Sequence, residues 1–283
     1  MERWHPFPHN ASEFDYPGER LAEAWPDLHR GDGMVFPDPE WVARQLEEYP
    51  EAAPAAFDGN LAQLAADIRQ AWRCFHGGDF QGAVARAERC GYLAHAAANK
   101  AAGIYATYLE PDEGRRREIF LNAVERAERA AQVLPDDPNT HYFLAFNLGR
   151  YSQSISVMQA LRQGVGARIQ QALEATLTLA PEHSEAHTAF GMYHAEVIDK
   201  VGKMIGAMTY GASIEAALEH FERALELTPD SPIARIECAN GLYLLFGERR
   251  LDEVTELYVR ASEMSPKDAM EKLDVEAALA ELE

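Results

Sequence analysis

The chain has 283 residues, 47% of them hydrophobic and 25% charged, with 46 acidic against 26 basic side chains and a formal charge of −20. That length can bury a core in one or two domains, and the composition is too apolar for general disorder. The acidic balance counts against nucleic acid, or an anionic membrane, as the main partner, because both need clustered Lys and Arg.

The opening MERWHPFPHN has no apolar core of a signal peptide, and no later stretch approaches the ~18 uninterrupted apolar residues of a membrane span. Cys74, Cys90 and Cys238 fit neither a disulfide framework nor a paired metal-knuckle spacing. Reduced thiols without a leader predict a cytoplasmic protein. Residues 1–58 are rich in Pro and Gly and carry Trp4, Phe7, Phe14, Tyr16, Trp25, Phe36 and Trp41. Prolines at that density predict an extended arm, with a helix only at Pro39–Glu48, where Pro39 takes the first turn. So many aromatics predict that the arm packs on the folded body.

From Asn60 onward the chain is built from Ala, Leu, Glu, Arg and Gln, and apolar residues recur at three and four positions, as in Leu218, Phe221 and Leu225. This predicts an all-α chain. Helix stops fall at Pro135, Pro181, Pro229 and Pro266, spaced by 46, 48 and 37 residues. Two modules superpose directly, one opening at His141 and the other at His187. Within them GARIQQALE from Gly166 matches GASIEAALE from Gly211 at six of nine positions, and Ile155-Ser156-x-Met158 pairs with Val201-Gly202-x-Met204. Each module reads as a long helix, a glycine break and a shorter helix. Continuous helix is expected through Ala195–Ala207.

These residues resemble the tetratricopeptide repeat (TPR). Phe190-Gly191 with Ala217, Phe221, Ala224 and Pro229 fits its large–small, small–aromatic–small and closing-proline pattern. So does Cys238-Ala239 with Val254, Tyr258, Ala261 and Pro266. Gly78-Asp79-Phe80 with Ala83 and Ala87 looks like the turn and second helix of an earlier copy, and Ala123, Ala127, Ala130 and Pro135 like another. The lengthened hairpins are similar to those of the regulator-of-microtubule-dynamics family and of the T-component of TRAP transporters. The resemblance implies a right-handed α-α superhelix of about four to five hairpins. The expected division is an arm over 1–58, a repeat domain over 59–266 and a capping helix over 267–283 that buries Leu273, Ala277 and Leu279.

Candidate chemistry is sparse. His183, His187 and His194 share a helical face and could meet one metal ion, but His187 and His194 stand in packing slots, so no metal and no cofactor is expected. No nucleophile motif occurs. Gly164-Val165-Gly166 reads as a hinge between helices. Arg115-Arg116-Arg117 reads as pairing with Glu110, Asp112, Glu113 and Glu118. In TPR folds the first helices line a concave groove, and that geometry selects Asn139, Tyr142, Phe146 and Arg150, then Glu185, Thr188, Met192 and Glu196, then Ile233, Ile236, Asn240 and Tyr243. The resulting reading is a non-enzymatic scaffold that binds a protein or peptide in this groove, with Tyr142, Phe146, Met192 and Tyr243 as anchors and no nucleic acid. The arm is a further candidate occupant of the groove. A carrier or sensor with an apolar cavity between lengthened hairpins is the alternative.

Overall fold

A computed structural model describes residues 3–283; Met1 and Glu2 of the arm lie outside the described residues. All regular structure among them is helical. In chain order the helices are α1 (Arg20–Leu28), α2 (Pro39–Glu48), α3 (Leu61–His76), α4 (Phe80–Ala87), α5 (His95–Tyr108), α6 (Glu113–Val133), α7 (Pro138–Gln153), α8 (Val157–Arg162), α9 (Val165–Leu179), α10 (Ser184–Val201), α11 (Lys203–Tyr210), α12 (Ile214–Leu227), α13 (Pro232–Phe246), α14 (Leu251–Ser262) and α15 (Ala269–Ala280).

Starts are set by side-chain caps. Asp79, Asp112, Asp137, Ser156, His183, Ser213 and Ser231 each accept a backbone N–H from the first turn of the helix that follows. Glycine sets two of the breaks. Gly164 (φ 61°) precedes α9, and Gly202 (φ 83°, ψ 154°) separates α10 from α11 in a region that side chains with a Cβ avoid. The helix expected through Ala195–Ala207 is therefore two helices. In the arm α1 forms despite Pro26. The proline forfeits the hydrogen bond to the Ala22 carbonyl, and Leu21 and Trp25, one turn apart and both buried, hold the helix in place.

Contacts divide the chain into two units. The first comprises the described residues up to His29, Met34–Ser154 and Asp268–Met270. Its core gathers Trp25, His29, Trp72, Phe75 and His76, with ring centroids 3.9–5.8 Å apart. His76 Nδ1 lies 2.8 Å from Asp268 Oδ2. The arm is tied along this unit. Trp4 stacks on Tyr105 at 4.1 Å, the His5 N–H donates to the Tyr105 hydroxyl, and Arg73 donates to the carbonyls of Tyr16 and Gly18.

The second unit comprises Arg30–Gly33, Ile155–Lys267 and Glu271–Glu283. Here α10 packs on α12 and α13 on α14, as TPR hairpins do. Ala217, Phe221, Ala239, Leu242, Val254, Tyr258, Ala261 and Ala278 form its core. The Phe221 ring fills the space above two glycines: a Cβ on Gly191 or Gly241 would lie 2.6 or 2.3 Å from it. In α15, Leu273, Val275 and Ala278 are buried while Leu279 is exposed and Ala277 half-buried, so the buried face is offset from the expected one.

Candidate functional site

The positions selected as groove-lining differ widely in access. In the first unit Asn139 and Tyr142 are buried. Phe146 is half-buried, its ring occupying the place of a Cβ on Gly103, 2.2 Å away. Arg150 packs on the Phe146 ring and lines a hollow of about 240 Å³ with Thr107, Glu113 and Gln153. In the second unit Thr188 and Ile236 are buried. Met192 packs on the core of that unit, with its sulfur 3.4 Å from where a Gly241 Cβ would be. Glu196 pairs with Lys200 at 2.8 Å, and Asn240 accepts from the Tyr258 hydroxyl at 2.5 Å. Tyr243 is 52% exposed. Burial removes Asn139, Tyr142, Thr188 and Ile236 from the open positions. In each case the helix face taken as concave carries packing residues as well.

The histidine face resolves into separate roles. His183 accepts the Ala186 N–H as the cap of α10. His187 Nε2 lies 3.0 Å from the Pro181 carbonyl and must donate to it, so the neutral ring accepts at Nδ1 from His220 Nδ1, 2.8 Å away. His194 and His220 stack on Phe190. Burial lowers the pKa of His187, His194 and His220, and His187 and His194 help lower that of His220 to about 4. Among the described residues no three His, Cys, Asp or Glu side chains are placed to share a metal ion. The thiols are not activated either: burial pushes Cys90 up to about 11 and Cys238 to about 12.

Arg115-Arg116-Arg117 is held by its neighbours. Arg115 Nε lies 3.5 Å from the Glu110 carboxylate, Arg116 donates twice to the Glu110 carbonyl, and Arg117 donates to the Glu113 carbonyl. Buried Glu110 also accepts from the Tyr105 hydroxyl.

A larger opening lies elsewhere, in the first unit. It is a cleft of about 1240 Å³ between α5 and α6. One wall is the α5 face of His95, Ala98 and Ala102; the other is the α6 face of Ile119, Asn122, Arg126 and Arg129. Both sets recur at helical spacing, so each helix turns one whole stripe to the cleft. Ala53–Ala56 and Trp4 from the arm, Val84 and Ala87 of α4, and Tyr92 add to the lining. Arg89, Arg115, Arg126 and Arg129 face it together with Glu88, Glu118 and Glu125. Arg126 is braced, donating to Glu88 at 2.7 Å and to the buried Asn99 at 3.2 Å. His95 Nε2 donates to Asp137 at 3.0 Å, which leaves buried Nδ1 as an acceptor without a hydrogen bond. The cleft escaped the sequence because its lining comes from residues 4, 53–56, 84–102 and 115–129; only the Arg115 run gave a signal.

The family model of regulator of microtubule dynamics protein 1-3 matches residues 85–278, more than half of the chain. The chain belongs to this family. No curated protein matches it. Among solved structures it is similar to TTC0263, a thermophilic TPR protein of Thermus thermophilus, with 19% identity and a TM-score of 0.54 over 77% of this chain and 99% of that one. That likeness establishes the TPR-type α-solenoid fold. Human IFIT1, a dimer with PPP-AAAA, shares 16% identity over 87% of this chain and 58% of its own, at a TM-score of 0.41 that carries no weight for fold or function. No helix among the described residues is long and apolar enough to cross a membrane.

Proposed function

We propose that the chain is a non-enzymatic scaffold that holds a segment of a partner protein, and that the α5–α6 cleft is where it does so. The observation that carries this reading is the cleft itself. At about 1240 Å³ it exceeds the ~300–1,000 Å³ of small-molecule pockets, and it is open along two helices. Its alanine-lined walls admit side chains, and its arginines and glutamates, several of them paired with one another, suit a segment of mixed charge. The family's name makes tubulin the first partner to test. Capture from cell extract checks the idea: Asn122→Trp, at an exposed position in the wall, fills the cleft while leaving the fold intact. The captured proteins should be lost at an unchanged melting temperature; an unaltered set would contradict the cleft.

A second reading, an amphipathic small molecule in the same cleft, is favoured by the apolar lining that Trp4 and Ala53–Ala56 add. A lipid-like species recovered with native protein and displaced by Asn122→Trp would establish it instead.

A further inference from the structure

The first described residues of the arm finish one end of the α5–α6 cleft. Helices α5 and α6 are joined by residues 109–112 and pack on each other, so the end of α5 meets the start of α6. At that end Tyr105 continues the α5 stripe of His95, Ala98 and Ala102 at the same helical spacing. Trp4 lies flat on the Tyr105 ring, with centroids 4.1 Å apart and planes inclined by 11°, and it lines the cleft. The main chain beside it is held by side chains. The Trp4 N–H donates to Gln81 Oε1 of α4 at 3.1 Å, and the His5 N–H donates to the Tyr105 hydroxyl at 3.2 Å. That hydroxyl donates in turn to buried Glu110, which leaves its oxygen to accept from the arm.

This tip is laid on the surface. Residues 3–7 belong to no helix; Arg3, His5, Pro6 and Pro8 are exposed, while Trp4 and Phe7 are half-buried. Phe7 covers Gly78, where a Cβ would lie 2.6 Å from its ring. The first buried arm side chain among the described residues is Phe14. A stacked ring, two N–H donors and the Phe7 contact tie the tip down, and lifting it withdraws no buried side chain from the core.

We infer that Trp4 is a resident plug of the cleft, which the partner segment displaces by bringing an aromatic residue of its own to the Tyr105 seat. This rests on the reading of the cleft as a site for a protein segment. The seat takes a flat ring and two successive main-chain N–H groups. An aromatic residue followed by any residue other than proline supplies all three, so the chain's own tip displays the chemistry of its partner. The tethered ring competes at an effective concentration on the order of millimolar. Weak ligands are therefore refused, and a segment that adds contacts along the cleft to its aromatic anchor gains entry.

A fluorescently labelled peptide of residues 3–9 tests the seat, with binding to the full chain read by anisotropy. It should bind the Trp4→Ala chain about tenfold or more tightly than wild type, whose seat is filled. In the peptide itself, Trp4→Phe should keep binding and Trp4→Ala should lose it. Gln81→Ala added to the Trp4→Ala chain should weaken binding several-fold at an unchanged melting temperature. Three results would overturn the plug: no binding to the Trp4→Ala chain, equal affinity for that chain and wild type, or equal binding of the Trp4→Ala peptide. Capture from cell extract separates these from a failure of the cleft. Trp4→Ala should increase the captured proteins that Asn122→Trp removes. Their removal by Asn122→Trp with no gain, or a loss, in Trp4→Ala overturns the plug alone and makes Trp4 a fixed wall; no effect of either variant overturns the cleft as well.

Discussion

Phe221 shows at the residue scale why the repeat pattern wants an aromatic between small neighbours. Its ring stands where Gly191 and Gly241 would otherwise carry a Cβ, and Ala217 and Ala224 flank it one turn away on α12. Gly241→Ala drives a methyl into that ring and should cost about 1–3 kcal/mol by overpacking. Phe221→Ala leaves a cavity and should cost about 3–5 kcal/mol. In denaturant titrations, Phe221→Leu should recover part of the loss in the Gly241→Ala background. The histidine pair carries a pH signature. His220 titrates at about 4 in the folded chain against 6.5 ordinarily, because burial disfavours its charged form and His187 and His194 lie beside it. Between those values the unfolded chain binds more protons. Stability is thus complete above about 6.5 and falls as the pH drops through about 4, and His220→Phe should flatten the decline in the urea midpoint. The sequence displayed His183, His187 and His194 on one face but not His220, which comes from the next long helix. Packing slots were legible residue by residue; pairs across helices were not.

At the scale of elements, local chemistry was legible where it is self-contained. Gly78-Asp79-Phe80 spells a turn and a capped helix start, and Asp79 accepts the Gly82 N–H at 2.9 Å. Asp79→Ala should cost about 1 kcal/mol in thermal melts. The break at Gly202 was hidden because VGKMIGAM reads as helix on either side of it. Its φ of 83° and ψ of 154° suit glycine alone, so Gly202→Ala should cost about 1–3 kcal/mol and loosen α11, visible as faster amide exchange over Lys203–Tyr210. Helix α1 was hidden by Pro26, since proline density says nothing of the buried Leu21 and Trp25 that hold the helix.

At the scale of the whole chain, the charge of −20 is unevenly distributed. Residues 1–60 carry net −9 and residues 252–283 net −7, leaving only −4 between them. The all-α, TPR-type fold was legible because alanine, aromatic and proline positions recur, and each repeat is specified locally. The proposed working surface was not. It takes a face of α5, a face of α6 and two pieces of the arm, far apart in sequence, and several positions that the repeat geometry offered as open are core. The central claim is that a protein segment lies in this cleft. Photo-crosslinking in cells from a benzophenone amino acid at Ile119, in the wall, tests it most directly, with exposed Leu121 on the same helix as control. A discrete protein segment joined at Ile119 and not at Leu121 is the predicted result; the same products from both positions, or only small molecules at Ile119, would contradict it.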